Sequence, residues 1–395
     1  MKNKLNQLFA LHFLNDGFLA SIILLLPFIK QNLSLTLTQI GFLTSILSIS
    51  GIVLSLPAGY FGHKFGPLKI LSLALLFYAA GFIALGLSSS YFFLILSFLI
   101  AALGFGIFHP IGFSLVAKWA PANKIGSSMG DFTAIGDVGR IILSSGIPFI
   151  IVTIGWRNTS FIYAVISIFF LFIILLLHNK NTGVTQDKKI KELNFWQIIK
   201  NRKFVFALLT NFFDNLASSA IFAFLPFLLL ERNINPSLLG IFTGAFLAGN
   251  FIGKTGLGRL ADKFKNTTVF IVAEFFMAVF IFFLTTSNSQ LVIISFSVIL
   301  GILTAGTIPV RSTMISESTK HHKQYEKVFA IASVVATSAT SLAPIILGRV
   351  ADLYGIINSF YIAAIFALMA LIPAYLFSRQ KNPSPVLTMI RSSQE

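Results

Sequence analysis

Twelve runs of about 20 predominantly apolar residues constrain this chain more than anything else in it. A helix of roughly that length crosses the hydrocarbon core of a bilayer, and lipid forces every backbone polar group to be satisfied within the segment. The runs lie at about 8–29, 39–61, 69–88, 92–117, 125–151, 159–177, 204–230, 238–260, 267–286, 291–315, 328–350 and 358–378. Only 11% of the 395 residues are charged and the mean hydropathy is +0.86. The pattern predicts an all-α integral membrane protein. The basic start "MKNK" leads into a run broken early by His12, Asn15 and Asp16, so it reads as a retained first helix and not a signal peptide.

The longest polar interruption, 178–203, divides the runs six and six. It predicts an N-terminal bundle (1–177), a basic linker (178–203) with a short interfacial helix near 192–203, a C-terminal bundle (204–378) and a tail (379–395). The net charge of +16 is sorted by position. With both termini cytoplasmic, Lys30, Arg157, Arg232 and Arg349 lie on the far side, and Arg140, Lys254 and Arg311 fall within spans. The other 22 of the 29 Lys and Arg lie on the cytoplasmic side. This is the positive-inside bias, so the expected neighbours are anionic lipid headgroups of a cell membrane, and no nucleic acid.

Shifting the second half back by 199 residues superposes Pro226 on Pro27, Gly240 on Gly41, Gly258 on Gly59, Lys263 on Lys64, Phe264 on Phe65 and Pro309 on Pro110. Asp214–Asn215 then lies over Asn15–Asp16. Two parallel six-helix repeats are a transporter architecture, with the substrate site between them near mid-membrane.

The loop "GYFGHKFGPLK" (59–69) and its repeat "GRLADKFK" (258–265) resemble the loop signature of the major facilitator superfamily, and "GWRNTSF" (155–161) is similar to its usual start of helix 6. The resemblance spans essentially the whole chain. It implies two rocking bundles and a cytoplasmic latch at Gly59, Gly62, His63, Lys64, Gly66, Gly258, Asp262 and Lys263. His63 stands where the signature has Asp, and Lys265 where it has Gly. The alternative is a tight basic turn obeying the charge bias. "HFLNDG" (12–17) and "GIFHP" (106–110) also resemble the fosmidomycin-resistance branch, whose members are efflux pumps. Asp137 and Arg140 depart from that branch's uncharged helix 5.

Ionisable residues within spans are functional candidates. His12 and Asp16 are four apart on one helix face and can hold a proton or tie helices. His109 precedes Pro110, which frees a carbonyl that could satisfy it. Asp214, with Asn211 and Asn215, occupies the repeat position of Asn15, beside that of Asp16. Arg311 can bind an anion or snorkel to the interface, with snorkelling favoured. Lys254 and Glu274 sit at similar depth on consecutive helices and are expected to form a structural ion pair. Asp137 and Arg140, three apart, are expected to pair along helix 5, statically or for substrate and proton binding. Asp131 is expected to reach water.

No phosphate-cradling motif, cysteine or metal-ligand spacing is present, so no enzyme activity, cofactor or metal is expected. His321–His322 reads as a solvated loop, and "NTT" (266–268) as a cytoplasmic coincidence. The leading expectation is a monomeric, proton-coupled exporter of a small organic compound. Uptake of an organic anion anchored by Arg140, a non-transporting receptor and a lipid flippase are the alternatives.

Overall fold

A computed structural model describes residues 2–121, 125–176, 201–318 and 325–380. The described residues form α1 (Lys2–Leu33), α2 (Leu37–Phe65), α3 (Pro67–Leu87), α4 (Tyr91–Trp119), α5 (Ile125–Ser145) and α6 (Ile147–Leu176). The second half contains α7 (Arg202–Ser218), α8 (Ile221–Glu231), a 3₁₀ turn (Pro236–Leu238), α9 (Leu239–Lys263), α10 (Asn266–Thr286), α11 (Gln290–Ser318), α12 (Tyr325–Tyr354) and α13 (Ile356–Arg379). Eleven spans are long and apolar enough to cross a membrane, α7 and α8 together making one. The remaining span begins with α5, whose Asp131, Asp137 and Arg140 lower its hydropathy. The expected interfacial helix, most of the linker and tail, His321 and His322 lie outside the described residues, as does the side chain of His63.

The fifth span ends at Gly155, not at the break after Ser145. Gly155 has φ 81° within α6. Arg157, just beyond it, donates to Asn32 and to the Ser88 carbonyl, which close α1 and α3 at the same end of the molecule. Gly355, with φ 90°, makes the corresponding turn between α12 and α13. A positive φ is cheap only for glycine, so both hairpins are fixed by residue type.

The repeat is built into the seam between the bundles. A Cβ on Gly41 would strike the Pro344 carbonyl, and one on Gly240 would strike that of Ser145. Both pairs of positions are 199 apart, so α2 against α12 and α9 against α5 are the same contact made twice. Small residues let membrane helices approach this closely. Asp352 reinforces one arm only. Its carboxylate accepts from Leu37 N (2.7 Å), Thr38 N (2.8 Å) and Thr38 Oγ1 (2.5 Å), capping α2 from the opposite bundle. Ser45 Oγ also donates to the Ser341 carbonyl at 2.5 Å.

The two signature loops turn differently. Gly66 has φ 95° between α2 and α3. Its counterpart Lys265 has φ −62° and caps α10 in an extended conformation, so the second copy needs no glycine. Gly62 is buried, and a Cβ there would lie 3.2 Å from Ile111. Lys64 lies 5.3 Å over the Phe65 ring. Gly258 packs near Pro309, Asp262 and Lys263 are exposed, and among the described residues Asp262 makes no ion pair.

Candidate functional site

Helix α1 brings Asp16 to the centre of the N-terminal bundle because α5 approaches it over two glycines. A Cβ on Gly139 would strike the Phe13 carbonyl, and one on Gly136 would lie 3.0 Å from Asp16 Oδ2 and crowd the His12 ring. Asp16 is buried and shared by three helices. Arg140 Nη2 of α5 donates to Oδ2 at 2.7 Å. His12 Nε2 of α1 and His109 Nε2 of α4 each lie 3.4 Å from Oδ1. Asn15 Nδ2 donates to the same oxygen at 3.0 Å. The freed carbonyl expected to satisfy His109 does not do so: its Nδ1 is buried without a partner.

Arg140 also reaches Asp137, with Nη1 3.7 Å from Oδ1. That is the expected pair along helix 5, but each member has a closer partner elsewhere. Asp137 receives Lys254 Nζ of α9 at 2.8 and 2.6 Å on its two oxygens. This bond crosses between the bundles, and it corrects the expected Lys254–Glu274 pair. Depth along two consecutive helices says nothing about facing, and α9 turns Lys254 toward α5. Glu274 is fully buried, with both carboxyl oxygens unpartnered.

In the C-terminal bundle, Asp214 of α7 accepts from Arg311 Nη1 of α11 and from Thr307 Oγ1 at 3.0 Å. The expected snorkelling of Arg311 is therefore corrected. A carboxylate within reach inside the bundle satisfies a guanidinium that would otherwise have to extend to water. Asn215 donates to Asn211, and Asn211 in turn to the Ala332 carbonyl of α12 at 2.9 Å. Thr307, and the buried Asn250 with Thr304, form part of this polar lining. They went unread in the sequence, although polar residues within apolar runs are a usable signal.

Arg140, Lys254 and Arg311 line one cavity of about 310 Å³ between the bundles, with Asn215, Asn250 and Thr304. The charges are sorted by depth. The cationic side chains keep 28, 23 and 10% of their surface exposed. Their partners Asp16, Asp137 and Asp214 keep 4, 3 and 0%. Cations face the cavity and the anions stand behind them. His12, Asp16 and His109 hold donor atoms within 4.8 Å of one another. The Arg140 guanidinium on the same carboxylate opposes a divalent ion there. Asp131 is exposed, as expected.

The Major Facilitator Superfamily model matches residues 8–228 and 207–392. The chain is 26% identical over 366 residues to a probable nitrate transporter, NarT, of Staphylococcus epidermidis, covering 90% of this chain and 92% of that one. It is 27% identical to a nitrite extrusion protein of Bacillus subtilis, covering 74% and 72%. A crystal structure of a bacterial homologue of the human lysosomal transporter Spinster superposes with a TM-score of 0.76 at 16% identity, covering 96% and 98%. These relatives do not point to the fosmidomycin-resistance branch.

Proposed function

The chain belongs to the Major Facilitator Superfamily and is a secondary transporter, not an enzyme; we propose that its cargo is a small anion held between the bundles by Arg140, Lys254 and Arg311. The observation that carries this reading is the sorting of charge in the cavity. Guanidinium and ammonium groups are presented to the cargo, while their carboxylates are withdrawn behind them. Opposite charges attract more strongly inside a protein than in bulk water, and guanidinium groups match the planar oxygens of oxyanions and carboxylates. The cargo names carried by two relatives, nitrate and nitrite, agree in charge and size. This moves the anion carrier with Arg140 as anchor ahead of efflux of a neutral or cationic compound. A cavity of about 310 Å³ also disfavours a phospholipid.

An anion entering the cavity competes with Asp137 for Lys254 and with Asp16 for Arg140. Loosening the Lys254–Asp137 bond removes a tie between α5 and α9, which must part for the bundles to rock. With both termini cytoplasmic, the Gly41–Pro344 seam closes the outer side. The drive is a proton gradient, accepted at the cluster of His12, Asp16 and His109. In a thermal-shift titration, sodium nitrate should raise the melting temperature of the purified protein, and tetraphenylphosphonium should not. Stabilisation by the cation alone would reverse the reading.

A further inference from the structure

The site has two imidazoles and one carboxylate, and its geometry distinguishes where a proton goes. His12 Nδ1 lies 2.6 Å from the Phe132 carbonyl. A carbonyl only accepts, so Nδ1 carries a hydrogen and the neutral ring keeps its lone pair on Nε2. The ring cannot flip to exchange them easily. It is stacked on Phe132 at a centroid distance of 3.9 Å and faces Phe108 at 5.5 Å, and Gly136 lies close enough to its edge that a Cβ there would clash with the ring. Nε2 is buried and has no hydrogen-bond partner, although it points at Asp16 Oδ1, 3.4 Å away. His109 differs. Its Nε2 is the atom near Asp16, and its orphaned atom is Nδ1. A proton added to His12 Nε2 gains a carboxylate acceptor, whereas one added to His109 Nδ1 gains none. His109 is also the more accessible of the pair, half-buried at 28% against 3% for His12.

We infer that the coupling proton is held on Nε2 of His12, against Asp16, and that its arrival releases Arg140 to the anion; this rests on the anion reading above. The step is a simple addition. A proton from water, entering past His109, joins the Nε2 lone pair, and the neutral imidazole becomes an imidazolium. The new N–H donates to Asp16 Oδ1, and the carboxylate is then shared between two cations. Every charged or titratable group facing the ring enters this balance. Asp16 lies on its own helix, His109 on α4, and Arg140 with Asp137 behind it on α5. Lys254 on α9 reaches it through Asp137, and Tyr78 on α3 stands near Asp16 with an unpartnered hydroxyl. Asp16 has one carboxylate to divide, so the imidazolium and the anion favour one another. By linkage, anion binding takes up a proton and tightens as pH falls.

The first test needs no anion. Nitrogen-15 spectra of histidine-labelled protein, assigned with His12→Gln and His109→Gln, should show His12 as the Nδ1–H tautomer at alkaline pH and doubly protonated in acid. A neutral His12 carrying its hydrogen on Nε2, or a His12 that stays neutral while His109 gains the proton, would overturn the inference. The second test measures proton release or uptake in weak buffer on adding sodium nitrate. Wild type should take up about one proton per nitrate bound. His12→Gln should still bind nitrate, with uptake reduced at least fivefold. Nitrate binding without uptake in wild type, or undiminished uptake in His12→Gln, defeats this inference and leaves the anion reading standing. Absence of nitrate binding in wild type counts against the anion reading, and the spectra then decide the proton site alone.

Discussion

The two bundles each bury an aspartate of their first helix against an arginine, yet the two sites are wired differently. Asp214 is closed in. It is fully buried and holds Arg311 and Thr307, all within the C-terminal bundle. Asp16 is shared. It serves Arg140 and two imidazoles, and Arg140 leads through Asp137 to Lys254 of the opposite bundle. The repeat offset explains the asymmetry. The position matching Arg140 in the second half is Ala339, and that matching Arg311 in the first half is Gly112. A common scaffold has therefore been given one fixed cationic anchor and one that can change partners.

Substitution at the two aspartates breaks this comparison most severely. Asp214→Asn leaves a buried guanidinium without its only carboxylate partner among the described residues, and stranding one member of a buried pair costs about 3–5 kcal/mol. Asp16→Asn should cost less than half of that, because Arg140 retains Asp137 nearby and partial access to the cavity. Thermal unfolding of the purified variants in one detergent measures the difference; equal losses would mean that the sites are equivalent.

Next in size is the loss of the cavity cations. Arg140→Gln should weaken nitrate binding on the order of 100-fold, as expected when one partner of a desolvated charged contact is removed. Asp16 then loses its guanidinium partner, while Asp137 keeps Lys254. The seam gives a smaller effect that is equal on both sides. Gly41→Ala and Gly240→Ala each force a Cβ into a carbonyl of the other bundle, at a cost of about 1–3 kcal/mol. Gly51→Ala, with open space around it, should behave as wild type in the same stability and transport assays. The smallest effect is at the signature loops. Gly66→Ala should lose about 1 kcal/mol because of its positive φ, and Lys265→Ala well under that.

Much of the fold was legible in the sequence because bilayer thickness fixes span length and repeats leave an offset. The shift of 199 read from prolines and glycines reappears as the pairing of Gly41 with Pro344 and of Gly240 with Ser145. The residues of the site were legible as charges in lipid, but their partners were not. Lys254 was paired with Glu274 and meets Asp137; Arg311 was sent to the interface and meets Asp214. Which carboxylate a cation finds depends on the rotation of each helix about its axis. A hydropathy pattern with apolar residues on every face leaves that rotation open. The stacking of His12 against Phe132 is likewise a product of how closely α5 approaches α1, which Gly136 and Gly139 decide only once the two helices are known to be neighbours.

The most direct test of an anion held between cations from both bundles is nitrate flux into proteoliposomes, comparing wild type with Arg140→Gln and Arg311→Gln. Wild type should accumulate nitrate when an inward proton gradient is imposed, and each variant should lose most of that flux while remaining folded by size exclusion. Flux in either variant equal to wild type, or no movement of nitrate, nitrite, formate or acetate by wild type, would contradict the account.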